Sequence, residues 1–125
     1  MIQLYGIPNC DQIRKTKKFL NGLAFDFEFV NIRTTPLTVV QLKQIVGQLG
    51  MDRTINSRGT TYRRLNIKDR ALNDDQLFDA VLNEQTLIKR PLLENNDRYF
   101  IGYDEEGIKQ FLSFGPGKTS KRPKW

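Results

Sequence analysis

The first 32 residues change their hydrophobic period twice, and this restricts the fold more than any other feature of the chain. Ile2 to Tyr5 is a short β-favouring run that Gly6 and Pro8 break. Asn9 is a good N-cap, and Ile13, Thr16, Leu20 and Leu23 then recur at helical spacing. Asn21-Gly22 reads as a helix stop, after which Phe25 to Ile32 alternates apolar and polar residues with period two, as a half-buried strand does. The opening is therefore β-α-β. A crossover helix between two strands implies parallel pairing and a right-handed connection. On this reading Phe25, Phe27 and Phe29 are core residues.

The junction of the first strand and helix also carries the only cysteine, Cys10. Free N–H groups and the positive end of a helix dipole favour a thiolate there, and Arg14, one turn on, adds a fixed positive charge. The same features make a small anion site. A lone cysteine in an intracellular protein is more often a buried small hydrophobe than a nucleophile. Against that, a turn running into a helix start is not where core cysteines usually sit, so spacing alone leaves both readings open.

A chain of 125 residues supports one compact domain without covalent staples, and a single cysteine excludes an intramolecular disulfide framework. Gln3, Asn9, Asp11 and Lys15 interrupt any apolar run near the start, and no window reaches transmembrane length, so a cytoplasmic protein is expected. The net charge of +6 invites a nucleic-acid reading, but Lys118, Lys121, Arg122 and Lys124 hold four of those charges in a tail without an acid. The +2 left on residues 1 to 112 is ordinary, and no DNA contact is expected. There is no histidine, which removes the commonest metal ligand and general base together. No metal site is expected.

Further along, Thr38-Val39-Val40-Gln41 has the pattern of a capping box, opening a helix with Val39, Leu42, Val46 and Leu49 on one face and an end near Gly50. Arg53 to Asn66 reads as a loop followed by one or two helical turns. Its arginines have the crowding beside small polar residues that a carboxylate clamp needs, although such runs are usually solvated. Asn73 to Gln76 repeats the capping box before a helix striped by Leu77, Val81 and Leu82, ending at about Asn83, and Thr86 to Lys89 reads as one short turn. After Arg90-Pro91, Leu92 and Leu93, the turn Asn95 to Asp97, and Arg98 to Tyr103 form an antiparallel hairpin. Asp104 caps a last helix with Ile108, Phe111 and Leu112 inward. Residues 113–125 read as a flexible basic tail.

This order is that of an α/β, thioredoxin-like domain, with a β-α-β and β-β-α core over residues 1–112 and a helical insertion at about 37–88. The residues themselves resemble the arsenate reductase (ArsC) and Spx family over that same length. The likeness rests on Tyr5 followed by Pro8-x-Cys10-x3-Arg14, on Asn73 to Leu77, on Leu87-Ile88-Lys89-Arg90-Pro91, and on the turn Gly102 to Glu105, taken in order. It implies that Cys10 is the nucleophile and that Arg14 helps hold it as thiolate. It places Arg90 beside the active site with Pro91 cis, and it puts another active-site arginine in the segment of Arg58 and Arg63. Within that segment the resemblance favours Arg63, with a one-residue ambiguity against Arg64.

Departures from the family pattern narrow the reading. Ile101-Gly102-Tyr103 stands where arsenate reductases of this kind carry a third arginine, which weakens the case for a tetrahedral arsenate. Ile13 stands at the fourth position of the Cys-x-x-Cys switch typical of Spx regulators, so no intramolecular switch can form. Asn56 to Arg63 is most similar to the YffB-like branch. The resemblance thus implies a glutathione-dependent thiol reductase with one nucleophilic cysteine resolved by an external thiol, glutathione being the co-substrate and no cofactor being bound. Asn9, Arg58, Arg63, Arg90 and Pro91 are its expected glutathione contacts, and a monomer is expected. The alternatives are an arsenate reductase that turns over with glutathione and glutaredoxin, and an Spx-like regulator that binds RNA polymerase.

Overall fold

The computed structural model describes residues 1–113, so the tail expected beyond Ser113 lies outside the described residues. The chain divides into two compact units, one of Met1–Asn31 with the described chain from Arg90 onward, the other Ile32–Lys89.

In the first unit, β1 (Ile2–Gly6) runs parallel to β2 (Phe27–Asn31), with Leu4 opposite Phe29, and α1 (Asp11–Gly22) connects them. β3 (Leu92–Asn95) pairs antiparallel with β1, and β4 (Arg98–Ile101) antiparallel with β3, giving the sheet order β2-β1-β3-β4. Asn96 and Asp97 close the hairpin at φ 54° and 64°, the positive values that a two-residue turn between twisted strands needs. α6 (Glu105–Ser113) follows, with the Asp104 carboxylate accepting from the Gly107 N–H at 3.2 Å. This is the thioredoxin-like arrangement expected from the sequence.

The side-chain pattern makes the core of this unit. Ile2 and Leu4 alternate with Gln3 on β1 and meet Leu93, Ile13 and Leu20 of α1, and Ile108, Phe111 and Leu112 of α6. Phe27 and Phe29 pack against this cluster, whereas Phe25, also expected in the core, lies ahead of β2 and is 36% exposed. The reason is the turn before it. Ala24, not Gly22, takes the left-handed conformation after α1 (φ 61°), and pairing starts only at Phe27. At the other edge, Gly102 (φ 94°) turns the chain away, so β4 stops two residues short of the expected Tyr103.

Tyr99 is buried on β4, and its phenol is pushed up to about 12, first by burial and then by Tyr5, Glu94 and Asp97 nearby. Unfolding releases this group to its ordinary value near 10, so the unfolded chain loses its proton first as pH rises. Stability is therefore expected to be complete below pH 10 and to fall as pH rises from 10 to 12. Tyr99→Phe should show a shallower alkaline decline, read from urea midpoints across that range.

The second unit is helical: α2 (Val39–Leu49), α3 (Met51–Thr54), α4 (Thr60–Arg64) and α5 (Asp74–Asn83), with 3-10 turns at Ile67–Asp69 and Gln85–Leu87. Both expected capping boxes form. The Thr38 hydroxyl accepts from the Gln41 N–H at 3.1 Å, and the Asn73 side chain from the Gln76 N–H at 2.8 Å, each answered by the glutamine side chain. The expected face of α2 is corrected: Leu42 and Ile45 are buried, whereas Val39 at the first helical position is 43% exposed. Sequence reading also misses an antiparallel bridge between Ile55 and Ile88, where the Asn56 N–H donates to the Leu87 carbonyl at 2.7 Å and the Lys89 N–H to the Thr54 carbonyl at 2.8 Å. Such pairing is long-range and leaves no local pattern.

Gln85 holds this unit from inside. Its Oε1 accepts from the Leu37 N–H at 2.7 Å and its Nε2 donates to the Leu37 carbonyl at 2.9 Å, all in buried surroundings. Gln85→Leu keeps the bulk but leaves both Leu37 groups without these partners. A buried polar group left unsatisfied costs about 1–3 kcal/mol. The urea midpoint should fall correspondingly, with an unchanged slope.

Candidate active site around Cys10

The turn that carries Cys10 is built by its neighbours. A Cβ at Gly6 would lie 2.2 Å from Ile13 Cδ1, so only glycine lets α1 close onto β1 here. Asn9, expected as the N-cap, instead takes the left-handed conformation (φ 60°), which asparagine tolerates better than most residues. The cap position falls to Cys10 itself, at φ −109° and ψ 126°, and its side chain makes no capping hydrogen bond. Its carbonyl accepts from the Arg14 N–H at 3.0 Å. The free thiol is half-buried and packs against the core cluster, one side apolar and the other open.

Arg14 lies one turn on, as expected, but its guanidinium pairs with Asp11 in the first turn of α1, and both side chains are well exposed. The positive charge beside Cys10 is therefore shared with a carboxylate. Arg90 and Pro91 belong to the same unit. The Arg90–Pro91 bond is cis, as the family resemblance implies. Leu92 pairs with Tyr5, so Pro91 sits at the end of the sheet from which the Cys10 turn departs, and its carbonyl accepts from the Gly102 N–H at 2.9 Å. Arg90 is half-buried.

Arg58, Arg63 and Arg64 lie in the other unit. The Asn56 side chain accepts from the Arg58 N–H at 3.3 Å and shapes the turn that ends at Gly59. Arg63, which the resemblance favours, commits a guanidinium nitrogen to the Arg58 carbonyl at 2.8 Å, and Arg64 pairs with Glu84 at 2.5 Å. The Arg58 guanidinium makes no hydrogen bond or ion pair among the described residues. Of the three it is the arm open to a ligand, while Arg63 braces its turn. The sequence held the signal for this in Asn56-Ser57-Arg58-Gly59, a turn sequence that displays its third residue.

A polar cavity of about 570 Å³ in this second unit is lined by Thr60, Thr61, Arg64, Glu84 and Thr86 among others. Among the described residues no group of three or more acidic or cysteine side chains could hold a metal ion, and no helix is long and apolar enough to cross a membrane.

Residues 5–111 match the model of the ArsC family. The global transcriptional regulator Spx of Lactiplantibacillus plantarum is 32% identical over 114 residues, covering 90% of this chain and 86% of that one. Among solved structures, an arsenate reductase from Vibrio cholerae is 27% identical with a TM-score of 0.75, over 87% of this chain and 95% of the other. A YffB protein superposes with a TM-score of 0.81 at 24% identity, over 88% and 97% of the two chains, which is a likeness of fold. The half-buried cysteine at the head of α1, the proline at the adjoining end of the sheet and the match over nearly all the described residues have one reading: the chain belongs to the ArsC family.

Proposed function

We propose that this protein is a glutathione-dependent thiol oxidoreductase with Cys10 as its nucleophile. The observation that carries this is the position of Cys10: an N-cap residue whose side chain does not cap, half-buried at the head of α1. With no second cysteine in the chain, the partner thiol comes from outside.

The reaction is a pair of thiol–disulfide exchanges. The Cys10 thiolate attacks the glutathione sulfur of a glutathionylated substrate, forming a Cys10–glutathione disulfide and releasing the substrate thiolate, which takes up a proton. A second glutathione, as thiolate, attacks the glutathione sulfur of that disulfide, yielding oxidised glutathione and restoring Cys10. The substrate disulfide is reduced by two electrons and two glutathione moieties leave as one disulfide. Arg90 takes a carboxylate of glutathione, and the backbone beside Pro91 pairs with its peptide-like bonds. Asn9 shapes the turn that carries Cys10.

The test is formation of oxidised glutathione from a glutathionylated peptide and reduced glutathione. Turnover well above the uncatalysed rate supports the proposal, and none contradicts it. The 32% identity to Spx favours a second reading, docking on RNA polymerase without thiol chemistry. A stable complex with purified polymerase, in the absence of turnover, would select it. Arsenate reduction, with glutathione and glutaredoxin for turnover, has in its favour the similarity to the Vibrio cholerae enzyme. It lacks the third arginine, Ile101-Gly102-Tyr103 standing in that place.

A further inference from the structure

The helix that begins after Cys10 carries four bases and one acid, Arg14, Lys15, Lys17 and Lys18 against Asp11. Arg14 is paired with Asp11, and the Lys17 ammonium sits 4.2 Å from the centroid of the Phe29 ring. Lys15 and Lys18 are in no ion pair among the described residues. Both line a groove of about 410 Å³ with Phe19, Gly22, Leu23, Tyr103 and Glu105. Its walls are aromatic: Phe19 meets Tyr103 edge-on at 6.3 Å between centroids, and the Lys15 ammonium lies 5.9 Å from the Tyr103 centroid. The one acid on the rim, Glu105, accepts a hydrogen bond from the Tyr103 hydroxyl.

Gly22 leaves the groove open without serving the fold. It is not the left-handed residue that ends α1, a conformation Ala24 takes, and a Cβ at Gly22 would meet nothing within 4 Å. Glycine in a helix is less stable than alanine by roughly 0.5–1 kcal/mol. No internal contact at this position needs it.

We propose that this groove docks an acidic segment of a partner protein. An apolar side chain of the partner enters over Gly22 between Phe19, Leu23 and Tyr103, and flanking carboxylates meet Lys15 and Lys18. Charge complementarity with Lys15 and Lys18 selects an acidic occupant, and the apolar walls select a polypeptide over a nucleic acid. The proposal does not depend on the chemistry assigned to Cys10.

The experiment is a titration of the full ¹⁵N-labelled chain with the peptide acetyl-Glu-Asp-Trp-Leu-Asp-Glu-amide, alongside its counterpart with every acid replaced by lysine and a short single-stranded oligonucleotide. The acidic peptide should cause saturable amide shifts confined to Lys15, Lys18, Phe19, Gly22, Leu23 and Tyr103. Gly22→Leu should weaken it by about tenfold or more while the unfolding midpoint stays equal or rises. Lys15→Glu combined with Lys18→Glu should transfer the preference to the lysine peptide. Shifts that are absent or lie elsewhere, or a Gly22→Leu affinity equal to wild type, overturn the proposal. So does equal binding of the oligonucleotide at the same residues, which marks a plain basic surface.

Discussion

Cys10→Ser should reduce the turnover of glutathionylated peptide to the uncatalysed rate while leaving the protein as stable as before. The hydroxyl that replaces the thiol cannot form the mixed disulfide, so both exchange steps are lost together. Stability follows a separate logic. Serine is among the best N-cap residues and an uncapped position loses about 1 kcal/mol relative to it, whereas the Cys10 side chain makes no capping bond. Against this gain stands the apolar contact of the half-buried sulfur with the core. The two effects are of similar size, so the unfolding midpoint should move little. Lost turnover with unchanged stability is the pair of results that separates a catalytic thiol from a structural one. Turnover retained by Cys10→Ser, or a collapse of its stability, contradicts the assignment.

The largest expected loss of stability is Leu93→Ala. Leu93 is fully buried on β3, opposite Leu4 on one side and Phe100 on the other, within the cluster that joins the sheet to α1 and α6. Truncating such a side chain loses its transfer free energy and leaves a cavity, together about 2–5 kcal/mol. That is a large share of the roughly 5–15 kcal/mol available to a domain of ordinary stability. Val40→Ala, at a position 65% exposed, should shift stability by less than about 0.5 kcal/mol. Urea unfolding of the two variants beside the wild type measures the difference. A Leu93→Ala midpoint equal to that of Val40→Ala would contradict the core as described.

Much of the fold is legible because its signals are local. The period change at Gly6 and Pro8 marks where β1 ends, and the two capping boxes at Thr38 and Asn73 mark helix starts to the residue. What was less legible depends on contacts distant in sequence. Phe25 alternates correctly with Phe27 and Phe29, yet the left-handed Ala24 keeps it out of the strand. The bridge between Ile55 and Ile88 joins segments whose own patterns suit loops and turns. At the site, a turn followed by a helix pointed to Cys10, but not to the cap position that it takes in place of Asn9. The sequence puts Arg58, Arg63 and Arg64 in one segment, where the resemblance favours Arg63. Only the partners of Arg63 and Arg64, the Arg58 carbonyl and Glu84, set those two apart from Arg58.

Intact-mass measurement of the wild-type chain after brief exposure to oxidised glutathione tests the central claim most directly. The account predicts rapid addition of a single glutathione, mapped to Cys10, slowed in Arg90→Ala and removed by reduced glutathione. A wild-type chain that stays unmodified while a free thiol peptide of equal concentration reacts would contradict it.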